Sequence, residues 1–479
     1  METMIFKRFY DENLAQATYL VGCEKSREAL LVDPNLDTAR YLRAAGSERL
    51  RISHVTETHI HADFVSGSYA VADATGATLH LSGESDANWG YVAGATRSAS
   101  WLRDGDQIEF GNICVRALHT PGHTPEHLSF LVADLERGRQ AVGVLTGDFV
   151  FVGDVGRPDL LELAAGAKGS MRDSAAQLFR SVQTFKRQPD YLQVWPGHGA
   201  GSACGKALGA MPQSTVGYEK LFNWAFAPMS EQEFIERVLT DQPVPPRYFA
   251  VMKELNRHDE LPARRAGEVR RLGLSELEAA VTEGTLIDTR RAERFAEGHI
   301  PGSLSVPLNE SFLNWCGSLV SYEKDFYLMS DAESDEAIHQ VIAELAKIGL
   351  VRASGFFGPE VLREWKSGRG PLEKVTQLIP GELHSLSNKQ RVQVIDVRSP
   401  DEWRRGHLAD AINIPLAALP GRLSEIDSAI PVVFHCKGGG RSSIATSFLL
   451  AAGKKDASNL QGGYDSWKAD GFEVITGPP

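Results

Sequence analysis

Residues 287–290, Ile-Asp-Thr-Arg, return at 395–398 as Ile-Asp-Val-Arg. Gly298-His299-Ile300 answers to Gly406-His407-Leu408, and Val306-Pro307-Leu308 to Ile414-Pro415-Leu416, all at one offset of 108 residues. A constant offset marks a duplicated folding unit. Each copy reads as a buried strand ending in Asp-x-Arg, an acidic helical stretch, then another strand, the alternation that builds an α/β domain. Two such domains in tandem are expected, at 272–370 and 376–479.

The copies differ where chemistry would lie. In the second, the buried run Val432-Val433-Phe434-His435 leads into Cys436-Lys437-Gly438-Gly439-Gly440-Arg441-Ser442-Ser443 and then a helix over 444–452. Gly438, Gly439 and Gly440 let backbone N–H groups turn inward. With the helix N-terminus, Lys437 and Arg441 they form an anion-binding nest. The same field favours Cys436 as a thiolate nucleophile able to carry a sulfur atom as a persulfide. These are rhodanese signatures. Four residues separate Cys436 from Arg441, the tighter loop of sulfurtransferases, where cysteine phosphatases have five. The first copy reads Leu328-Met329-Ser330-Asp331-Ala332-Glu333-Ser334-Asp335. Ser330 stands in place of Cys436 and Asp335 in place of Arg441, so this copy is expected to be inert, a spacer, interface or docking surface. Cys316 lies outside the loop and is read as structural.

At 479 residues the chain has room for about three domains. Residues 241–271 are rich in Pro (243, 245, 246) and then in Arg (264, 265, 270, 271), and read as a linker with one helical piece at 248–256. Before it, residues 1–240 mix β-like runs (17–23, 29–32, 52–58, 78–81, 107–110, 113–118) with helix-like ones (38–45, 66–74). The absence of a strict βαβ rhythm suits two sheets flanked by helices.

The stretch Thr58-His59-Ile60-His61-Ala62-Asp63-Phe64 follows one of these runs. Two histidines and an aspartate at a strand end can converge on one metal ion, since imidazole and carboxylate suit divalent zinc or iron. Three further turns after apolar runs offer one more ligand each: Thr120-Pro121-Gly122-His123-Thr124, Thr146-Gly147-Asp148 and Trp195-Pro196-Gly197-His198. In this order the four motifs resemble the metallo-β-lactamase superfamily, which implies its αββα sandwich. The whole is then an α/β multidomain protein, that sandwich followed by two rhodanese-like α/β domains.

Superfamily members with two metals carry a histidine directly after the motif's aspartate, and here that position is Phe64. Phenylalanine has no donor atom, which favours a mononuclear centre. Two histidines and one carboxylate are the ligand set of non-haem Fe(II) oxygenases. The chain resembles the persulfide dioxygenase branch, and Gly153-Asp154-Val155-Gly156-Arg157-Pro158-Asp159 is typical of it. The resemblance implies one Fe(II) per chain held by His59, His123 and Asp148, with His61, Asp63 and His198 near the metal. His61 either binds directly or orients a neighbour. Arg157 either anchors a substrate carboxylate or braces its loop. Cys204 either relays sulfur or packs. His54, His80, His119 and His127 read as structural, and Cys23 and Cys114 as core thiols.

Lys and Arg number 50 against 62 Asp and Glu, a net charge of −12, so no basic field draws nucleic acid or an anionic membrane. No stretch approaches a membrane span, and five scattered cysteines without CxxC pairing read as reduced thiols, so a cytoplasmic location is expected. The expectation is a fused enzyme. The first site oxidises a small-thiol persulfide with O2 to sulfite. Cys436 then moves a sulfane sulfur between persulfide and sulfite or thiosulfate. The resemblance also implies a homo-oligomer. The rivals are a zinc thioester hydrolase of the glyoxalase II kind with an attached rhodanese, against which Phe64 counts, and a sulfur sensor or scaffold.

Overall fold

The computed structural model describes residues 4–84, 89–92, 99–160, 162, 169–202, 204–205, 208–242, 244–258, 269–332, 334–427 and 429–477. Arg264 and Arg265 of the expected linker, and Glu333 of the inert loop, lie outside them. The chain divides into two compact units, Met1–Pro262 with Ala346–Gly349, and Ala263–Leu345 with Leu350–Pro479.

The first unit is built on two six-stranded sheets. One runs Met4–Asp11, Gln16–Cys23, Glu28–Val32, Arg51–Thr56, Thr78–Ser82, Ser100–Leu102; the other runs Ser214–Thr215, Gln193–Pro196, Gly143–Gly147, Leu128–Asp134, Ile113–His119, Gln107–Phe110. Strand side chains alternate between faces, and both faces are used. Ala17, Tyr19, Val21, Leu30 and Val32 meet Val115, Ala117, Phe130, Val132 and Leu145 in a core between the sheets. On the far side of the first sheet, Leu20, Leu31 and Val55 pack against Tyr41 and Ala45 of helix Thr38–Ser47 and Val71 of helix Ser68–Thr75. On the far side of the second, Leu131, Val144 and Val194 pack against Leu178 and Val182 of helix Ser170–Phe185 and Phe234 and Val238 of helix Glu231–Leu239. This is an αββα sandwich, as expected. Cys114 departs from its reading as a core thiol, being only partly buried.

The helix Tyr248–His258, the one helical piece expected within 241–271, groups with this unit. Tyr248, Met252 and Asn256 recur every fourth residue on one helical face, and all three are buried.

The second unit holds both repeats. The first has a parallel sheet in the order Leu304–Ser305, Thr285–Asp288, Phe326–Met329, Ala353–Phe357; the second has Thr376–Leu378, Ala457–Leu460, Val432–His435, Gln393–Asp396, Ile412–Asn413. The shared Asp-x-Arg is a clamp in both. Arg290 Nε and Nη2 grip Asp288 at 3.0 and 2.7 Å, and Nη2 also donates to the Gly298 carbonyl at 3.0 Å. Arg398 repeats this on Asp396 and the Gly406 carbonyl. The next histidine in each copy donates from Nδ1 to a helical carbonyl, His299 to Phe295 and His407 to Trp403, and stacks on that ring at 3.8 and 3.7 Å. The repeated residues hold the fold, which is why they persist in the copy without the cysteine. Among the described residues no helix is long and apolar enough to cross a membrane.

Candidate metal centre and sulfur-transfer loop

Three of the expected ligands converge at neighbouring strand ends of the first unit. His59, His123 and Asp148 place donor atoms within 4.8 Å of one another, all buried. Asp148 Oδ2 lies 3.8 Å from His59 Nε2 and 3.6 Å from His123 Nε2. Hydrogen bonding fixes which imidazole nitrogen carries the lone pair. His123 Nδ1 is 2.9 Å from the Arg157 carbonyl, which only accepts, so Nδ1 carries the proton and Nε2 faces inward as a bare donor. The Thr58 hydroxyl donates to Asp33 Oδ2 at 2.9 Å and so accepts from His59 Nδ1 at 3.0 Å, leaving His59 Nε2 bare as well. Burial pushes the pKa of His59 well below its ordinary value and that of His123 to about 3, so both stay neutral as metal ligation requires. Burial pushes Asp148 up, opposed by His198. Both Asp148 oxygens are buried without a hydrogen-bond partner. Two bare imidazole nitrogens facing an unpartnered buried carboxylate are a donor set that fits a divalent ion.

The remaining motif residues form a second group. Asp63, His198 and Cys204 bring donor atoms within 4.8 Å, all buried. His198 Nδ1 donates to the Ala15 carbonyl, and its Nε2 lies 3.2 Å from Asp63 Oδ2 and 3.4 Å from Asp148 Oδ1. Asp148 thus turns one oxygen to each group. Cys204 is 2% exposed, and burial, with Asp63 and Asp148 nearby, raises its thiol pKa well above the ordinary value. His61 is in neither group: its Nε2 lies 3.1 Å from Asp33 Oδ1, its Nδ1 has no partner, and Asp33 raises its pKa to about 9 against the opposing effect of burial. Phe64 is fully buried against the His61 ring at 4.3 Å.

Of the two alternatives for Arg157, the geometry is that of a brace. It is fully buried, with Nε and Nη2 on the two Asp159 oxygens at 2.8 and 2.6 Å, so its fork is already filled while its carbonyl orients His123.

Other buried groups serve this centre without belonging to a metal motif. Asp33, at φ +53°, holds Thr58 and His61. His127 accepts the Asp148 N–H on Nε2 and stacks on His59 at 5.2 Å. Its place four residues after His123 is the one local hint of this role. Asn256 donates to the carbonyls of His61 and Phe64 at 2.8 and 2.7 Å and accepts from Ser66 N–H at 2.8 Å, holding the loop that carries Asp63. Lys253 is 5% exposed; burial lowers its pKa, and its charge helps depress that of His123. Gly147, at φ +48°, passes so close to Thr58 and His127 that a Cβ would strike them.

In the second unit, Cys436 follows the buried strand Val432–His435 at the mouth of helix Gly440–Ala451. Its Sγ receives the Gly439 N–H at 3.1 Å and the Ser442 hydroxyl at 3.4 Å. The N–H groups of Tyr464 and Asp465 take the carbonyls of Cys436 and Lys437 at 2.8 and 3.0 Å, which holds those carbonyls away from the sulfur. Gly439, at φ +98°, makes the turn, with Gly438 and Lys437 exposed beside it. Arg441 is bound through both Nη atoms to Glu402 at 2.7 Å, so it shapes the loop as half of an ion pair. In the corresponding loop of the first repeat, Asp335 pairs with Arg271 and Asp331 with Arg294.

The model of the metallo-β-lactamase superfamily matches residues 12–198, and that of the rhodanese-like domain matches 274–356 and 379–470. Persulfide dioxygenase ETHE1 of Bos taurus is 31% identical over 198 residues, 41% of this chain and 68% of that protein. Hydroxyacylglutathione hydrolase of Polaromonas sp. is 31% identical over 200 residues, 41% of this chain and 66% of that protein. A sulfurtransferase of Allochromatium vinosum is 33% identical over 90 residues, 19% of this chain and 84% of that protein. The crystal structure of a metallo-β-lactamase from Staphylococcus aureus subsp. aureus COL superposes with a TM-score of 0.67 at 39% identity, over 75% of this chain and 99% of that one. The chain belongs to the metallo-β-lactamase superfamily, as a fusion of a domain homologous to persulfide dioxygenases with rhodanese-like domains.

Proposed function

We propose that the chain is a bifunctional sulfur-oxidising enzyme, a persulfide dioxygenase fused to a thiosulfate sulfurtransferase. The supporting observation is the convergence of bare His59 and His123 nitrogens on the buried Asp148 carboxylate, with Phe64, which has no donor atom, in the position after Asp63. His59, His123 and Asp148 would hold one Fe(II), which supplies the means to bring O2 to sulfur. The protein's own groups set the stage. Thr58 with Asp33, and the Arg157 carbonyl, aim the imidazoles; His127 holds the Asp148 backbone; Phe64 packs on the His61 ring. In the overall reaction the outer sulfur of R–S–SH leaves as sulfite, with one O2 and one water consumed and R–SH and two protons released. At the second site Cys436 passes a sulfane sulfur between a persulfide and sulfite, so the product of one site is the acceptor at the other.

The second donor group favours one other reading. Asp63, His198 and Cys204 could complete a two-metal centre, as a zinc thioester hydrolase requires, and the hydroxyacylglutathione hydrolase is as similar as the dioxygenase. Metal analysis with oxygen uptake separates the two. Iron at about one per chain, with persulfide-dependent uptake and sulfite formed, supports the dioxygenase; zinc at about two per chain with thioester turnover and no uptake replaces it.

A further inference from the structure

Ala346–Gly349 spans the end of helix Asp335–Lys347 in the first repeat, and it groups with the first compact unit. Lys347 is 7% exposed, and a buried ammonium needs a partner. Its Nζ donates to Asp11 Oδ2 at 2.7 Å, across 336 residues of sequence. Its carbonyl accepts the Val65 N–H at 2.6 Å. Gly349, at φ +76°, lies so close to Met252 of helix Tyr248–His258 that a Cβ would strike that side chain.

Both partners of Lys347 lead to the metal centre. Val65 stands two residues beyond Asp63, in the loop whose His61 and Phe64 carbonyls and Ser66 N–H are held by Asn256. Asp11 Oδ2 also accepts from Asn35 Nδ2 at 3.3 Å, and Asn35 Nδ2 donates as well to Gln16 Oε1 at 3.2 Å. Gln16 Nε2 donates to the Asp33 carbonyl at 2.8 Å. Asp33 in turn fixes Thr58, and through it the His59 tautomer. Asp11, Gln16, Asp33 and Asn35 are all buried, so the network is closed to bulk water and depends on its own members.

The second repeat shows that its fold does not ask for this lysine. Helix Gly440–Ala451 also ends two residues before a glycine at positive φ, Gly453 at +92°. Ala451 stands there where Lys347 stands before Gly349, and it is exposed. The lysine therefore answers to the first unit.

We propose that Lys347 is a positioning residue for the metal centre, and that completing this centre is what the repeat without a cysteine supplies. The superfamily match, residues 12–198, then lacks part of what holds its own ligands. The inference rests on the reading of His59, His123 and Asp148 as metal ligands, and is independent of which ion they take.

The test uses the full-length protein with Fe(II) or Zn(II) alone as the probe, competed with a chelator. Lys347→Met keeps the length of the side chain and strands Asp11. It should weaken metal retention about tenfold, the lower end of what groups that orient ligands contribute. In the metal-free protein it should also speed hydrogen exchange at Val65 and its loop neighbours. Lys347→Arg keeps the charge and should bring retention back to within about threefold of wild type. Phe234→Ala opens a cavity on the far side of the second sheet and costs stability on a similar scale, yet should leave retention within about twofold of wild type. Unchanged retention in Lys347→Met, or an equal loss in Phe234→Ala, would overturn the proposal. So would a Val65 amide that exchanges in the wild type as fast as an exposed loop, a measurement that stands even where Lys347→Met does not fold. A wild type that retains neither ion would instead remove the metal-centre reading on which the inference rests.

Discussion

Arg441 and Glu402 meet through two parallel contacts, each Nη atom 2.7 Å from one carboxylate oxygen. Burial alone would raise the Glu402 pKa, but the bonds from Arg441 and Ser399 overcome it and hold the carboxyl at about 2. Glu402 is therefore depressed in the folded state. Its contribution is present above the unfolded value near 4.5 and lost as pH falls through about 2. Urea unfolding between pH 5 and pH 2 should show the wild type losing about 1–2 kcal/mol that Glu402→Gln does not lose, allowing for partial exposure. At neutral pH the same variant should lower kcat/KM for sulfur transfer about tenfold, because Arg441 is no longer held in the loop.

Arg157 gives a second prediction. It neutralises the buried Asp159 and aims His123, so Arg157→Met strands a carboxylate that is 2% exposed. Stability should fall by about 3–5 kcal/mol in thermal or denaturant unfolding, with metal content falling alongside. A raised KM for persulfide in a protein of normal stability and metal content would return Arg157 to the role of substrate anchor.

Asn256 belongs to no motif, yet its amide makes three bonds to the loop that carries Asp63. Asn256→Ala should cost about 2–5 kcal/mol, since buried backbone groups lose their partners, and should loosen metal binding measured by competition with a chelator. Unchanged stability would show that water replaces the amide.

The difference between residues legible in the sequence and those that were not follows from how each is signalled. His59, His123, Asp148 and His198 stand in turns directly after buried strands, where a period of two stops at a glycine or polar residue, so local pattern was enough to find them. Cys436 was legible because three glycines and a helix start surround it. Asp33, Asn256 and Glu402 act across separations of 25, 195 and 39 residues from Thr58, His61 and Arg441, and nothing beside them in the chain records the partner. Arg157 left two roles open in the sequence for the opposite reason. A conspicuous arginine in a family motif invites a ligand, and only the fold reveals that Asp159 already fills its fork. The helix at 248–256 was legible within the Pro-rich stretch, but the unit it packs into was not, because its partners His61, Phe64 and Ser66 lie 190 to 195 residues away.

The two sites lie in different compact units and share no residue, so their activities should separate by substitution. Asp148→Ala removes the carboxylate that faces both histidines, and should abolish iron retention and persulfide-dependent oxygen uptake while thiosulfate sulfurtransfer stays within about twofold of wild type. Cys436→Ser keeps the loop, since a hydroxyl can take the Gly439 N–H, but a serine cannot form a persulfide. Sulfurtransfer should fall by three orders of magnitude or more, roughly the loss expected when a covalent nucleophile is removed, and oxygen uptake should continue. The two variants mixed together should recover both activities in one vessel. Sulfite would then build up before it is converted, because it must diffuse from one chain to another. A lag no longer than in the wild type would show that tethering the sites brings no kinetic gain. Loss of oxygen uptake in a normally folded Cys436→Ser protein would end the two-site description.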